Sequence, residues 1–110
     1  MWCAQAVCVA GNYAYVTDSS SSSLNIFDIS NPAVPVAKGV ISGTGPPNYL
    51  FEGFSVFVSG NYAYLTSSPD NALIIIDVTN PSAPILAGAL SGSGAPNYIN
   101  NPQQVCVSGN

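Results

Sequence analysis

The sequence has no histidine, no arginine and a single lysine, Lys38, against five acids, Asp18, Asp28, Glu52, Asp70 and Asp77. A surface with one cation has almost nothing to hold phosphate, so no nucleic-acid or anionic-membrane partner is expected. Without histidine the chain lacks the commonest general acid–base group, and its acids are scattered rather than paired. An enzyme is therefore the least favoured function class, and no catalytic residue is assigned. Long hydrophobic runs are missing too. Ala72–Ile76 falls far short of the roughly 20 residues that span a bilayer, so no membrane insertion is expected. Met1–Gln5 has neither the basic start nor the apolar stretch of a signal peptide, so no targeting segment is expected within the chain; a longer protein could carry one upstream. No window has helical period, because Gly or Pro interrupts each apolar run within about eight residues.

What the sequence does have is a repeat. Val7-Cys8-Val9-Ala10-Gly11-Asn12-Tyr13-Ala14-Tyr15-Val16-Thr17 returns as Val56-Phe57-Val58-Ser59-Gly60-Asn61-Tyr62-Ala63-Tyr64-Leu65-Thr66. It begins a third time as Val105-Cys106-Val107-Ser108-Gly109-Asn110. Subtracting residue numbers gives a period of 49 both times. A period of this length marks a stacked or radial array whose units bury their faces against one another. The units are 5–49, 54–98 and the start of a third at 103–110.

Each unit holds four strand signals, the content of one propeller blade. In the first they fall at about Gln5–Ala10, Asn12–Thr17, Leu24–Ile29 and Pro35–Ser42, and in the second at about Ser55–Ser59, Asn61–Thr66, Ala72–Val78 and Pro84–Ser91. The fold class expected is all-β: propeller blades of four antiparallel strands in an incomplete ring. Val7-Cys8-Val9 and Leu73-Ile74-Ile75-Ile76 do not alternate, as suits a sheet covered on both faces. Tyr13 and Tyr15 fall on one face of the second strand, Ala14 and Val16 on the other, so successive blades can interlock. Tyr62 is accordingly expected to be buried between blades. Gly39, Gly88 and Lys38 suit an outer edge strand that must resist pairing.

The turn from third to fourth strand is nearly constant, Asp28-Ile29-Ser30-Asn31-Pro32 and Asp77-Val78-Thr79-Asn80-Pro81. The loop from second to third strand varies: Asp18 to Ser23 in one copy, Ser67 to Asn71 in the other. The long inter-blade segments, Gly43–Gly53 and Gly92–Pro102, are expected on the same rim as these variable loops, where binding would concentrate.

Leu24-Asn25-Ile26-Phe27-Asp28 and Leu73-Ile74-Ile75-Ile76-Asp77, with the Gly-Asn-Tyr-Ala-Tyr hairpin and the Asp-x-x-Asn-Pro-x-x-Pro turn, resemble the LVIVD-repeat β-propellers across essentially the whole chain. The resemblance implies a propeller, often secreted or surface-attached, and no catalytic residues. The chain departs from the family in having too few repeats to close a ring.

Individual side chains offer little chemistry. Asp28 and Asp77 precede Asn-Pro and read as turn caps that accept backbone N–H bonds; calcium ligation would need more oxygens than these sites offer. Asp18 and Asp70 read as solvated loop residues. No metal or cofactor is expected. Cys8 and Cys106 occupy the register of Phe57, so they read as buried packing groups, two blades apart and too distant for a disulfide. With no His or second Cys beside them, neither they nor Cys3 reads as a nucleophile. The one recurring surface constellation is Pro47-Asn48-Tyr49 and Pro96-Asn97-Tyr98. Asn48, Tyr49, Asn97 and Tyr98 could bind a sugar, the ring stacking on its apolar face and the amide bonding its hydroxyls. The plainer reading packs each Tyr into the blade junction while the Asn holds a turn.

Polarity carried by Ser, Thr, Asn and Gln points to an extracellular or cell-surface module. A non-enzymatic interaction or scaffold role leads, with a protein partner; a glycan-binding propeller is the alternative. The chain is expected to be a fragment of a longer propeller, its neighbours being further blades or, failing those, loose self-association. Because each unit needs its neighbour, residues 1–49 alone should give no cooperative unfolding transition and no dispersed β-type amide spectrum. A well-folded single unit would contradict the radial-array reading.

Overall fold

The structure is a computed structural model that describes residues 4–43, 53–67, 71–92, 105 and 107–108. The described residues form eight strands and no helix. The first sheet has β1 (Ala4–Ala10), β2 (Tyr13–Asp18), β3 (Ser23–Asp28) and β4 (Val36–Ser42) in that spatial order, every pair antiparallel. The second repeats it with β5 (Gly53–Ser59), β6 (Tyr62–Ser67), β7 (Ala72–Asp77) and β8 (Ile85–Ser91). These are two neighbouring blades of an unclosed ring. Expected and observed strands agree within two residues at each end.

Local chemistry sets the hairpins. A two-residue loop joins β1 to β2, and another joins β5 to β6. Gly11 (φ 59) and Gly60 (φ 61) take its first position, the left-handed conformation that a type II′ turn requires and that glycine adopts without steric cost. Both outer strands are bulged. Ile26 pairs with Gly39 and Phe27 with Ala37, leaving Lys38 as the extra residue; Ala87 is the extra residue opposite Ile75 and Ile76. A bulge carrying a charge blunts an exposed edge.

The core lies between the blades, and each sheet presents a different face to it. From the first come Cys8, Tyr13, Tyr15, Leu24, Ile26 and Ile41, all on one side of the pleat. From the second come Val56, Val58, Ala63, Leu65, Ile74 and Ile76, all on the opposite side of theirs. The aromatic face of one blade therefore rests on the small and aliphatic face of the next. Tyr15 is only 4% exposed, and burial, with Tyr13 and Cys8 beside it, pushes its phenol pKa above the ordinary value. Leu24, Ile26, Leu65, Ile74 and Ile76 are fully buried, each adding about 1.5–3 kcal/mol by leaving water. Cys8 is a free thiol, half-buried against this core. Cys3 and Cys106 lie outside the described residues.

Tyr62 corrects the sequence reading. It is 41% exposed, because it sits on the face of the second blade turned away from the first. Its repeat counterpart Tyr13, at the junction, is packed against the core. The outer face of the first blade is open in the same way, with Val7 63% and Val9 60% exposed.

Gly39 has a reason that its edge position alone does not suggest. A Cβ on Gly39 would run into the carbonyl oxygen of Pro81, and would lie 3.0 Å from Pro84 Cδ and 3.2 Å from the Ser82 carbonyl carbon. The Asn-Pro turn of the second blade is seated directly on this glycine. Gly39→Ala should therefore destabilise the chain by about 3 kcal/mol, the upper part of the overpacking range, because the obstacle is backbone. Urea denaturation measures this, and an unchanged midpoint would contradict the close approach. β1 is bulged as well, Ala4 pairing with Asp18 and Ala6 with Thr17 so that Gln5 is the extra residue, and a second pair of variants tests this bulge. Thr17 Oγ1 accepts the Ala6 N–H at 3.1 Å, whereas Thr66 Oγ1 is buried without a partner. Thr17→Val should cost about 1–3 kcal/mol and Thr66→Val close to nothing; equal costs in the same titration would refute the distinction.

Candidate functional site

The two rims of the blade pair differ in kind. One carries the constant turns. Asp28 Oδ1 accepts the Ser30 N–H at 2.8 Å, and Asp77 Oδ1 accepts the Thr79 hydroxyl at 2.6 Å and its N–H at 2.9 Å. The Ser30 N–H, then its hydroxyl and, more weakly, Lys38 hold the Asp28 carboxyl below its ordinary pKa. The Thr79 hydroxyl and then its N–H do the same for Asp77. Asn31 and Asn80 each close the next turn, their Oδ1 atoms accepting the Ala33 and Ser82 N–H groups at 3.2 Å. Both aspartates thus act as the turn caps expected from sequence. The turns are further tied to the neighbouring hairpins by Ile29 N–H to Asn12 O at 2.8 Å and Val78 N–H to Asn61 O at 2.9 Å.

The opposite rim carries the variable loops. Asp18 differs here from the solvated loop residue expected. It is 1% exposed, and its Oδ1 accepts the Ser20 N–H at 2.9 Å, the Ser20 hydroxyl at 3.0 Å and the Ser21 N–H at 3.2 Å. A carboxylate with three donors on one oxygen organises the serine loop rather than waiting for a ligand. The loop continues through Ser22 (φ 52), and its counterpart through Asn71 (φ 49). Ser21 and Ser23 share a hydroxyl–hydroxyl bond of 2.6 Å, and Asn25 Nδ2 donates to Ser23 Oγ at 2.9 Å. The sequence held the signal for this network in its acid-then-serine order, but burial of the acid is a tertiary effect.

The inter-blade segments leave from this same rim. Gly43 N–H bonds Ser22 O at 3.1 Å, and Gly92 N–H bonds Asn71 O at 3.0 Å, so each segment starts against the variable loop of its own blade. Asn48, Tyr49, Asn97 and Tyr98 follow these anchor points but lie outside the described residues, as does Asp70. Among the described residues, no group of three or more His, Cys, Asp or Glu side chains is placed to hold a metal ion. One cleft, about 280 Å³, lies at the bulge of the first blade between Asn25, Phe27, Lys38 and Val40, on the uncovered outer face rather than on the rim.

A scan against protein-family models matches the LVIVD repeat at residues 3–42 and again at 54–91. A search of curated proteins finds no match. The two matched stretches coincide with the two sheets and cover most of the chain. The Leu-Asn-Ile-Phe-Asp and Leu-Ile-Ile-Ile-Asp segments form β3 and β7, each ending in its capping aspartate. By sequence match and by the blade built from each match, the chain belongs to the LVIVD-repeat family, as a propeller-type module of two repeats.

Proposed function

We propose that this module is a non-enzymatic interaction or scaffold element of a secreted or cell-surface protein, and that it meets a protein partner through the rim of variable loops. The observation that carries this reading is the pairing of loops on that rim. In each blade a backbone bond pins the inter-blade segment to the variable loop, at Gly43 to Ser22 and at Gly92 to Asn71. Loops that differ between blades are thereby held on a scaffold that does not, the usual arrangement of a recognition surface. The rim is dressed in hydroxyl and amide groups, which suits hydrogen-bonded recognition rather than charge-steered capture. The reading that it is not an enzyme rests on the absence of histidine and on acids spent as loop caps.

A second reading assigns glycan binding to Asn48, Tyr49, Asn97 and Tyr98. It is favoured by the place of Gly43 and Gly92, which precede the two Pro-Asn-Tyr sequences in the chain, on this same rim. One experiment weighs the two. A photo-crosslinker at Ser20, on the variable rim, should trap a defined extracellular protein from the source organism; one at Ser30, on the constant rim, should not. A glycan array probed with the same chain should stay at background. Equal trapping at both positions, or none, would count against the protein-partner reading. Saturable glycan binding lost in Tyr49→Ala and Tyr98→Ala would move the assignment to the sugar.

A further inference from the structure

We propose that the uncovered face of the second blade is the docking face for a third blade of the same repeat, and that Gly88 is the socket for that blade's Asn-Pro turn. This inference does not depend on the rim reading above.

The chain contains its own template. At the internal junction the first blade offers Cys8, Tyr13, Tyr15, Leu24, Ile26 and Ile41. Adding the repeat period gives Phe57, Tyr62, Tyr64, Leu73, Ile75 and Leu90, which line one face of the second blade in the same cross-strand register. Tyr62 and Leu90 are exposed there, and Phe57, Tyr64, Leu73 and Ile75 are only half-buried. The surface that binds blade two on blade one is thus presented again in the same register, with Phe57 in place of Cys8 and Leu90 in place of Ile41.

Gly88 is the more specific sign. Its counterpart Gly39 has no room for a Cβ, because Pro81, Ser82 and Pro84 of the next blade's turn press on it. At Gly88 a Cβ would meet nothing within 4 Å. A glycine inside a strand weakens it and ordinarily marks close approach of another backbone. At Gly88 the residue is in place and the approaching backbone is not.

Two observations choose a third blade over a second copy of the chain. First, Val105 of the third repeat is already held there: its N–H donates to Ser55 Oγ at 3.1 Å, on the innermost strand of the second blade. A second copy would have to displace it to bring in its own β1. Second, the outer face of the first blade is a poor substitute for the face that fills the junction. Where that face has the fully buried Ile74 it carries Asn25, and where it has Ser67 it carries Asp18. Docking a second copy would bury the Asn25 amide against apolar side chains, which is costly unless fully bonded.

The test compares matched glycine variants in two chains. In the 110-residue chain, Gly39→Ala should lower the thermal midpoint, while Gly88→Ala should leave it unchanged or slightly raised, since it restricts only the unfolded chain. The second chain is extended beyond Asn110 with a copy of residues 62–92, which completes a third blade in register. In it Gly88→Ala should become as damaging as Gly39→Ala, and nitration of Tyr62 by tetranitromethane, read by peptide mass spectrometry, should fall several-fold. The proposal is overturned if Gly88→Ala already destabilises the shorter chain as Gly39→Ala does. It is also overturned if Gly88→Ala stays harmless in the extended chain, or if Tyr62 is labelled equally in both. A closed oligomer of the 110-residue chain that Gly88→Ala dissociates would hand the face to a second copy and overturn the assignment to a third blade.

Discussion

The structure depends on one packing contact, the aromatic face of the first blade on the small and aliphatic face of the second. Neither sheet has a core of its own. A four-stranded sheet has two faces and no interior, so its apolar side chains leave water only when another layer covers them. Tyr15, Leu24 and Ile26 from one side and Ala63, Leu65, Ile74 and Ile76 from the other supply that cover mutually. The interlock sets a face that carries Tyr13 and Tyr15 against one on which Ala63 and Ala72 are small. Gly39 completes it at the outer edge, where even a methyl group would hold the next blade's turn away. By comparison the aspartate caps on the constant rim are exposed and fix local geometry rather than the assembly of blades.

Much of this was legible in the sequence because a repeat is read twice. Two copies of each strand signal placed the strands within two residues, and the Gly-Asn hairpin and Asp-Asn-Pro turn formed as their chemistry requires. Alternation in Tyr13-Ala14-Tyr15-Val16 gave the two faces, and the first blade's Tyr face does enter the junction. Three features were not legible. Tyr62 carries the sequence of a junction residue, but burial belongs to a pair of surfaces, and among the described residues nothing covers it as the second blade covers Tyr13. Asp18 looks like a solvated acid before a serine run, yet the loop folds over it and its bonds turn inward. Gly39 reads as an edge glycine, while its true constraint comes from Pro81, far away in sequence and close only in the fold. What local pattern does not encode is which surfaces are covered: Tyr62 is not, Asp18 is, and Gly39 is pressed by a turn from the other blade.

The same separation runs through the functional reading. The repeat-constant parts of the sequence build the scaffold: hairpin, capped turn, apolar strand and glycine socket. The parts that differ between repeats, Asp18 to Ser23 against Ser67 to Asn71, gather on one rim and are held there by backbone bonds from Gly43 and Gly92. Membership of the LVIVD-repeat family accounts for the scaffold. On the reading proposed above, what the rim meets follows from its hydroxyl and amide groups rather than from the fold.

The central claim is that the blades have no separate stability and that the junction makes them one cooperative unit. Native-state hydrogen exchange tests it most directly. The slowest amides of β2 and β3 and those of β6 and β7 should exchange with a single common opening free energy, and should shift together as denaturant is added. Two distinct opening free energies, with one sheet keeping its protection after the other has lost it, would mean that each blade is stabilised from within, and would contradict the account.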